Sequence, residues 1–164
     1  MADHSFDIAS KLDFQEVGNA IAQALKEITT RYDLKDAKTE IELREKDNQL
    51  YIESENEFKL QASTEILHQK MIRRNISPKV LTPQKVESAL GGRAKQLIKL
   101  QEGISKENAK IVIGDIKSIQ LKVQTQIQED QIRVSAKKID DLQGIMKILS
   151  EKNYSFNIQF LNFR

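Results

Sequence analysis

The chain has 164 residues and no cysteine, and no apolar run in it is long enough to cross a membrane as a helix. Charged residues make up 30% and hydrophobic residues 39%, which is typical of a globular protein rather than a disordered one. Structural disulfides and a membrane span are therefore excluded. Because no basic stretch followed by an apolar segment opens the sequence, we expect a cytoplasmic protein.

Charge is distributed unevenly along the sequence. Residues 1–90 hold 13 Lys or Arg against 16 Asp or Glu, a balance of −3, whereas residues 91–164 hold 13 against 8, a balance of +5. An anionic ligand is therefore expected on the second half first, because a positive region attracts anions. Uneven surface charge that serves only solubility is the alternative.

The first half reads as strand, helix, hairpin, helix and strand. Residues 5–10 predict a strand, and Asp13 with Glu16 predicts the start of a helix. Apolar residues follow at helical spacing: Val17, Ile21, Leu25, Ile28 and Tyr32. Alternation through Ile41 and Leu43, then Leu50 and Ile52, predicts a hairpin with one buried face. Leu60, Leu67 and Met71 line a second helix, and residues 77–90 supply a last strand.

The second half repeats this order. Residues 94–101 predict a strand, and Ser105 predicts the cap of a helix. The apolar stripe of that helix is Ala109, Val112, Ile113, Ile116 and Ile119. Residues 121–137 alternate as a hairpin, Asp140 with Gln143 predicts the start of a helix, and residues 156–164 supply the closing strand.

An internal duplication explains the repeated order. Residues 40–67 align without a gap on residues 122–149, 82 positions later. The identical pairs are Gln49/Gln131, Leu60/Leu142, Gln61/Gln143, Ile66/Ile148 and Leu67/Leu149. The sequence therefore predicts an α+β protein of two tandem ferredoxin-like (βαββαβ) domains with antiparallel four-stranded sheets. Gly91-Gly92 marks the join, which gives domain 1 as residues 1–90 and domain 2 as residues 91–164.

In this fold the helices cover one face of each sheet and leave the other face to solvent or a ligand. The outward side chains expected in domain 2 include no acid: Lys95, Leu97, Lys99, Lys122, Gln124, Gln126, Gln128, Gln131, Arg133, Ser135 and Lys137. The equivalent hairpin of domain 1 is expected to present Lys38, Glu40, Glu42, Arg44, Tyr51 and Glu53. That face is expected to repel phosphate.

Basic and amide side chains on the domain 2 face predict a ligand-binding surface. Ammonium and guanidinium groups suit phosphates, and glutamine amides can donate to and accept from base or ribose edges. The predicted ligand-binding residues are Lys95, Lys99, Lys122, Gln124, Gln126, Gln128, Arg133 and Lys137. The expected central strands lack the aromatic residues on which an RNA-recognition module stacks bases. A solvated polar face without a ligand is the alternative.

The sequence offers no pattern typical of catalysis. His4 and His68 are too far apart in pattern for a metal pair or a base with its orienting partner. Gly91-Gly92 lacks the frame of a phosphate-binding loop. We therefore expect no enzyme, no metal and no cofactor.

Several segments resemble the YajQ family of bacterial proteins. They are SFDIAS with LDFQEVGNAI, RYDL, GGRAKQLIKLQEGIS, LKVQTQIQEDQIRVSAKKIDDLQ and the closing FLNFR. The resemblance covers the chain essentially from end to end. It implies a small cytoplasmic protein of two ferredoxin-like units, with topology related to RNA-binding modules and with N-terminal strands exchanged between the units.

The resemblance also implies a function. Proteins of this family are regarded as nucleotide-binding, and some are receptors for cyclic di-GMP that pass the signal to a transcription factor. The family hairpin usually has Gly-Asp where this chain has Glu129-Asp130, and Thr-Gly-Lys where it has Ser135-Ala136-Lys137.

Three functional hypotheses follow. The first is a receptor for a guanine nucleotide or cyclic di-GMP. The second is an RNA-binding protein that uses the basic sheet face of domain 2. The third is an interaction protein whose surface engages another protein, with a nucleotide as regulator.

Overall fold

The computed structural model describes residues 4–164, which form four α-helices and nine β-strands. The helices are α1 (Phe14–Thr30), α2 (Glu57–Arg73), α3 (Lys106–Ile119) and α4 (Ile139–Glu151). The strands are β1 (His4–Ala9), β2 (Glu40–Arg44), β3 (Gln49–Ser54), β4 (Leu81–Pro83), β5 (Glu87–Ser88), β6 (Ala94–Leu100), β7 (Val123–Gln128), β8 (Gln131–Ala136) and β9 (Gln159–Leu161). Among these described residues, none of the helices combines the length and the apolar character needed to cross a membrane.

The chain divides into two compact units that do not follow its linear order. Leu12–Gln101 form one unit, here the central unit. The residues up to Lys11 together with Glu102–Arg164 form the other, here the terminal unit. Each unit has two helices and one antiparallel sheet. The predicted class of two ferredoxin-like units is confirmed.

The central unit has the strand order β2-β3-β6-β4, and the short β5 also pairs with β6. Its two longest strands, β3 and β6, pair with each other from Gln49 opposite Lys99 to Ser54 opposite Ala94. The fully buried side chains of Leu50, Ile52 and Leu60 lie in its core. These residues are from the predicted hairpin and second helix, so the alternating pattern identified the buried face correctly.

The terminal unit has the strand order β7-β8-β1-β9. Strand β1 lies in the middle of this sheet, with Phe6 opposite Val134 and Ile8 opposite both Ile132 and Phe160. A separate hydrophobic core forms around Phe6 and Ile8 with residues of α3 and α4.

The first strand of each half therefore lies in the sheet of the other half. Strand β1 pairs with β8 and β9, and β6 pairs with β3 and β4. The predicted exchange of N-terminal strands is confirmed. The boundary between residues 90 and 91 stays a prediction about the linear duplication.

Strand exchange removes the charge asymmetry of the sequence. The central unit holds 15 Lys or Arg against 14 Asp or Glu, and the terminal unit holds 11 against 10. Each unit therefore has a balance of +1, so net charge does not direct an anion to either one.

Two local predictions were wrong. Tyr32 is not part of the buried stripe of α1, because the helix ends at Thr30 and the tyrosine is 90% exposed. Helix α4 begins at Ile139 with Lys138 as its N-cap residue, so Asp140 lies in the first turn rather than at the cap. A carboxylate in the first turn still interacts favourably with the helix dipole.

Candidate functional site

Two of the predicted ligand-binding residues lie apart from the rest. Lys95 and Lys99 are on β6 in the central unit, opposite Glu53 and Gln49 of β3. Lys95 also lies opposite Glu87 of β5, so acidic residues flank it on both sides. The expectation that these two lysines share a sheet face with Arg133 and Lys137 is wrong, because β6 is exchanged into the other sheet.

The remaining six predicted residues lie together in the terminal unit. They are Lys122, Gln124, Gln126, Gln128, Arg133 and Lys137. Gln126 of β7 lies opposite Arg133 of β8, and Gln124 lies opposite Ser135. The alternation of the hairpin therefore gives the predicted polar row on the outer face of this sheet.

The expectation of an acid-free face is wrong, because β1 brings an aspartate into it. Asp7 lies opposite Arg133 and is only 1% exposed. Arg133 Nε donates to Asp7 Oδ1 at 3.0 Å, Arg133 Nη2 donates to Oδ2 at 3.4 Å, and Asn162 Nδ2 donates to Oδ2 at 2.8 Å. The guanidinium of Arg133 is thus committed to a buried ion pair.

The electrostatics of Asp7 reflect these partners. Burial alone would raise its pKa, because a low-dielectric site disfavours the charged form. The hydrogen bonds from Arg133 and Asn162, with the charges of Arg133 and Arg164, outweigh burial and hold the pKa of Asp7 below its ordinary value. The carboxylate is therefore ionised at neutral pH, and its ion pair with Arg133 joins β1 to β8.

A groove lies where the β7–β8 hairpin opens toward α3 and α4. Its volume is ≈ 730 Å³. Its lining residues are Gln120, Leu121, Lys122, Val123, Gln124, Ser135, Ala136, Lys137, Lys138 and Asp141. Three of these ten are lysines, each exposed, and one is acidic. We call it the lysine groove.

The local backbone explains why these side chains converge. Gln120 ends α3 in the left-handed region, at φ 62, and turns the chain toward β7. At the other wall, β8 ends at Ala136 and α4 starts three residues later. Lys138 caps α4 without a side-chain hydrogen bond, because lysine has no acceptor. The positive end of the helix lies beside these lysines, and the first-turn carboxylates of Asp140 and Asp141 offset part of its charge.

Sequence reasoning identified part of this groove and missed the rest. Lys122, Gln124 and Lys137 were predicted from the polar row, whereas Lys138 and Asp141 were not. The Lys137-Lys138 pair immediately before a helix start is the signal that could have revealed Lys138, since a basic pair at that point lies next to the first free amides of the helix.

The outer face of the central unit has a different chemistry. Tyr51 of β3 lies opposite Leu97 of β6, and the guanidinium of Arg44 lies 4.7 Å from the centre of the Tyr51 ring. An aromatic residue therefore does lie on a central strand, contrary to the expectation for the sheet of β6. The Tyr51 hydroxyl donates to Glu53, which also accepts from Arg93 Nε at 2.7 Å.

This cluster shifts the titration of its members. The hydrogen bond to Glu53, together with burial and the neighbouring carboxylates, raises the pKa of Tyr51 to about 12. The same hydrogen bond and the one from Arg93 lower the pKa of Glu53. Glu40 and Glu42 lie on the adjacent β2, and Lys95 and Lys99 lie on the adjacent β6, so this face carries both signs of charge. The repulsion of phosphate stays a prediction.

The described residues contain no group of three or more His, Asp or Glu side chains placed to hold a metal ion. The two histidines lie in different units, His4 in the terminal unit and His68 in the central unit.

Comparison with known proteins places the chain in one family. The family model described as "Nucleotide-binding protein YajQ-like" matches residues 4–164. A protein of Carboxydothermus hydrogenoformans named "Nucleotide-binding protein" is 48% identical over 163 residues, which cover 99% of each chain. A protein of the same name from Citrifermentans bemidjiense is 52% identical over 160 residues, covering 98% of each. A third, from Elusimicrobium minutum, is 46% identical over 164 residues and covers all of both chains. The strand-exchanged pair of ferredoxin-like units and these end-to-end matches agree: the chain belongs to the YajQ-like nucleotide-binding protein family.

Proposed function

We propose that this protein binds a nucleotide and that the lysine groove receives the phosphate groups. The observation that carries the proposal is the convergence of Lys122, Lys137 and Lys138 on a groove with a single carboxylate. The names of the relatives support the ligand class, since each is called a nucleotide-binding protein.

The groove offers three kinds of hydrogen-bond donor to a phosphate group. Lysine ammonium groups make charge-assisted hydrogen bonds, which are stronger than neutral ones. The hydroxyl of Ser135 in the lining can donate one more. The first-turn amides of α4 start beside Lys138 and point along the positive end of the helix dipole. Together these suit a phosphate ester better than a carboxylate of ordinary metabolites, because phosphate has more acceptor oxygens.

Within this class we propose a guanine nucleotide, which is either cyclic di-GMP or a guanine mononucleotide. Asp141 is the one acid of the groove. A carboxylate accepts two hydrogen bonds, which matches the adjacent N1–H and N2–H donors of guanine and no equivalent pair on adenine. Gln124 on the opposite wall provides an amide that can both donate and accept. Asp141→Asn should therefore weaken GTP binding and reduce the preference for GTP over ATP.

We further propose a receptor that acts through a protein partner rather than an enzyme. The family resemblance includes cyclic di-GMP receptors that signal to a transcription factor, and the groove supplies binding groups without a recognisable nucleophile and base. Capture of the same partner in the presence and absence of cyclic di-GMP tests this: partner binding that changes with nucleotide supports it, and binding that does not change contradicts it.

Isothermal titration with cyclic di-GMP, GTP, ATP and a short single-stranded RNA tests the binding proposal directly. Lys122→Ala/Lys137→Ala should weaken nucleotide binding about 10- to 100-fold, at about 1 kcal/mol for each partly solvated lysine–phosphate contact. Lys147→Ala, an exposed lysine on α4 outside the groove, is the matched control and should bind normally. Unchanged affinity in the double variant would contradict the proposed site.

Arg133 is a poor choice for this test, although it is a predicted ligand residue. Its removal would leave Asp7 buried without its cation, so binding and stability would fall together. Lys99→Ala tests instead whether a predicted ligand-binding residue of the central unit takes part in nucleotide binding.

RNA binding would produce a different signature in the same titrations. An RNA backbone that follows the polar row of β7 would release counterions, so the logarithm of the affinity would fall steeply with the logarithm of salt concentration. Saturable binding of one nucleotide with a shallow salt dependence favours the receptor instead.

A further inference from the structure

Strand β7 forms one edge of the terminal unit's sheet. Of the described strands, only β8 pairs with it. An edge strand presents a row of backbone N–H and C=O groups that can pair with another strand. Proteins normally block such edges with charge, proline, a bulge or a short strand.

The other described sheet edges carry these blocking features and β7 does not. Strand β2 reads EIELR, with three charges in five residues. Strand β4 has three residues and ends in Pro83, and β9 has three residues and is followed by Asn162 at φ 58. Strand β7 has six residues, VQTQIQ, without a charge or a proline.

The helix-facing side chains of β7 are also incompletely covered. On β8, Ile132 and Val134 are fully buried. Their partners on β7 are Ile127, which is 43% exposed, and Thr125, which is only partly buried. A further strand beside β7 would remove this row from water.

The flanking charges identify which strand fits. Lys122 precedes β7, and Glu129 and Asp130 follow it. Two copies of β7 side by side in antiparallel order bring the lysine of each copy close to the acids of the other, whereas parallel order brings like charges together. We propose that the β7 edge docks a second copy of this chain by antiparallel strand addition, forming a two-fold dimer with one continuous sheet.

The side-chain pattern gives a register for this pairing. Residues on the same sheet face must lie opposite each other. With Thr125 opposite Thr125 of the second copy, Val123 lies opposite Ile127 and Gln124 lies opposite Gln126. Apolar residues then pair on the helix side, and glutamine amides pair on the outer side.

Sedimentation equilibrium with charge-swapped variants tests the proposal. The wild-type chain should sediment as a dimer. Gln124→Lys/Gln126→Lys places like charges opposite each other and should weaken dimerisation at least about tenfold. Gln124→Glu/Gln126→Glu should do the same. An equimolar mixture of the two variants should recover the dimer, because each lysine then faces a glutamate.

The controls separate a specific edge from general effects of charge. Gln61→Lys/Gln143→Lys adds the same charge on exposed positions of α2 and α4 and should remain dimeric. Recovery in the mixture shows that both edge variants are folded. A monomeric wild-type chain at every soluble concentration, a dimer that the edge variants leave intact, or a mixture that stays monomeric would each overturn the proposal. Because sedimentation is measured without nucleotide, the result is independent of the proposed function.

Discussion

Removal of the guanidinium at residue 133 is the sharpest test of how β1 is held in its exchanged position. In Arg133→Met, Asp7 keeps the hydrogen bond from Asn162 but loses two hydrogen bonds and its neighbouring positive charge. Breaking a buried ion pair by removing one partner costs about 3–5 kcal/mol. Since the Arg133 side chain is 27% exposed, solvent replaces part of the interaction, and we expect a loss of about 2–3 kcal/mol at neutral pH.

The assay is urea denaturation followed by far-UV circular dichroism, at neutral pH and in acid. The folded-state pKa of Asp7 is lowered, so its stabilising contribution is present above the pKa of the unfolded chain and is lost as pH falls through the folded value. The gap between wild type and Arg133→Met should therefore narrow in acid, where the variant protonates Asp7 and relieves its buried charge.

Arg31→Met is the matched control. The Arg31–Asp33 pair is shorter, at 2.7 Å, but its side chains are 44% and 58% exposed. An exposed pair is worth about 0–1 kcal/mol. If Arg133→Met cost no more than Arg31→Met, burial of Asp7 would not be the source of the stabilisation and the reasoning would be refuted.

Three further substitutions have defined outcomes. Glu129 adopts φ 55 in the β7–β8 turn, so Glu129→Gly should raise the free energy of unfolding by about 1 kcal/mol in urea denaturation. Gly103 has φ +82, and an added Cβ would overlap the side chain of Asp130, so Gly103→Ala should lower the melting temperature, and an unchanged value would contradict this contact. In an ultraviolet titration, Tyr51→Phe should remove a phenol that ionises only near pH 12, leaving the titration at lower pH unchanged.

The candidate site shows where reasoning from sequence stopped. Alternation placed Gln124, Gln126 and Arg133 on one outer face, because a hairpin joins neighbouring strands through a short turn and its register is local. The strand that lies next to that hairpin in the sheet, β1, is distant from it along the chain. The aspartate that pairs with Arg133 is 126 residues away along the chain, and no pattern within either segment indicates that contact.

The sequence by itself determined the elements, their buried faces and the duplication. Apolar period and capping residues act over a few positions, and the family resemblance added the exchange of strands as an expectation. Only the tertiary structure decided which residues lie opposite each exchanged strand, and hence which charged side chains meet. Lys95 lies between Glu53 and Glu87, whereas Lys122 and Lys137 lie in a common groove. A central strand contributes hydrogen bonds to both neighbours in whichever sheet it enters, so its own alternating sequence fits either one, and the electrostatics of both faces depend on that choice.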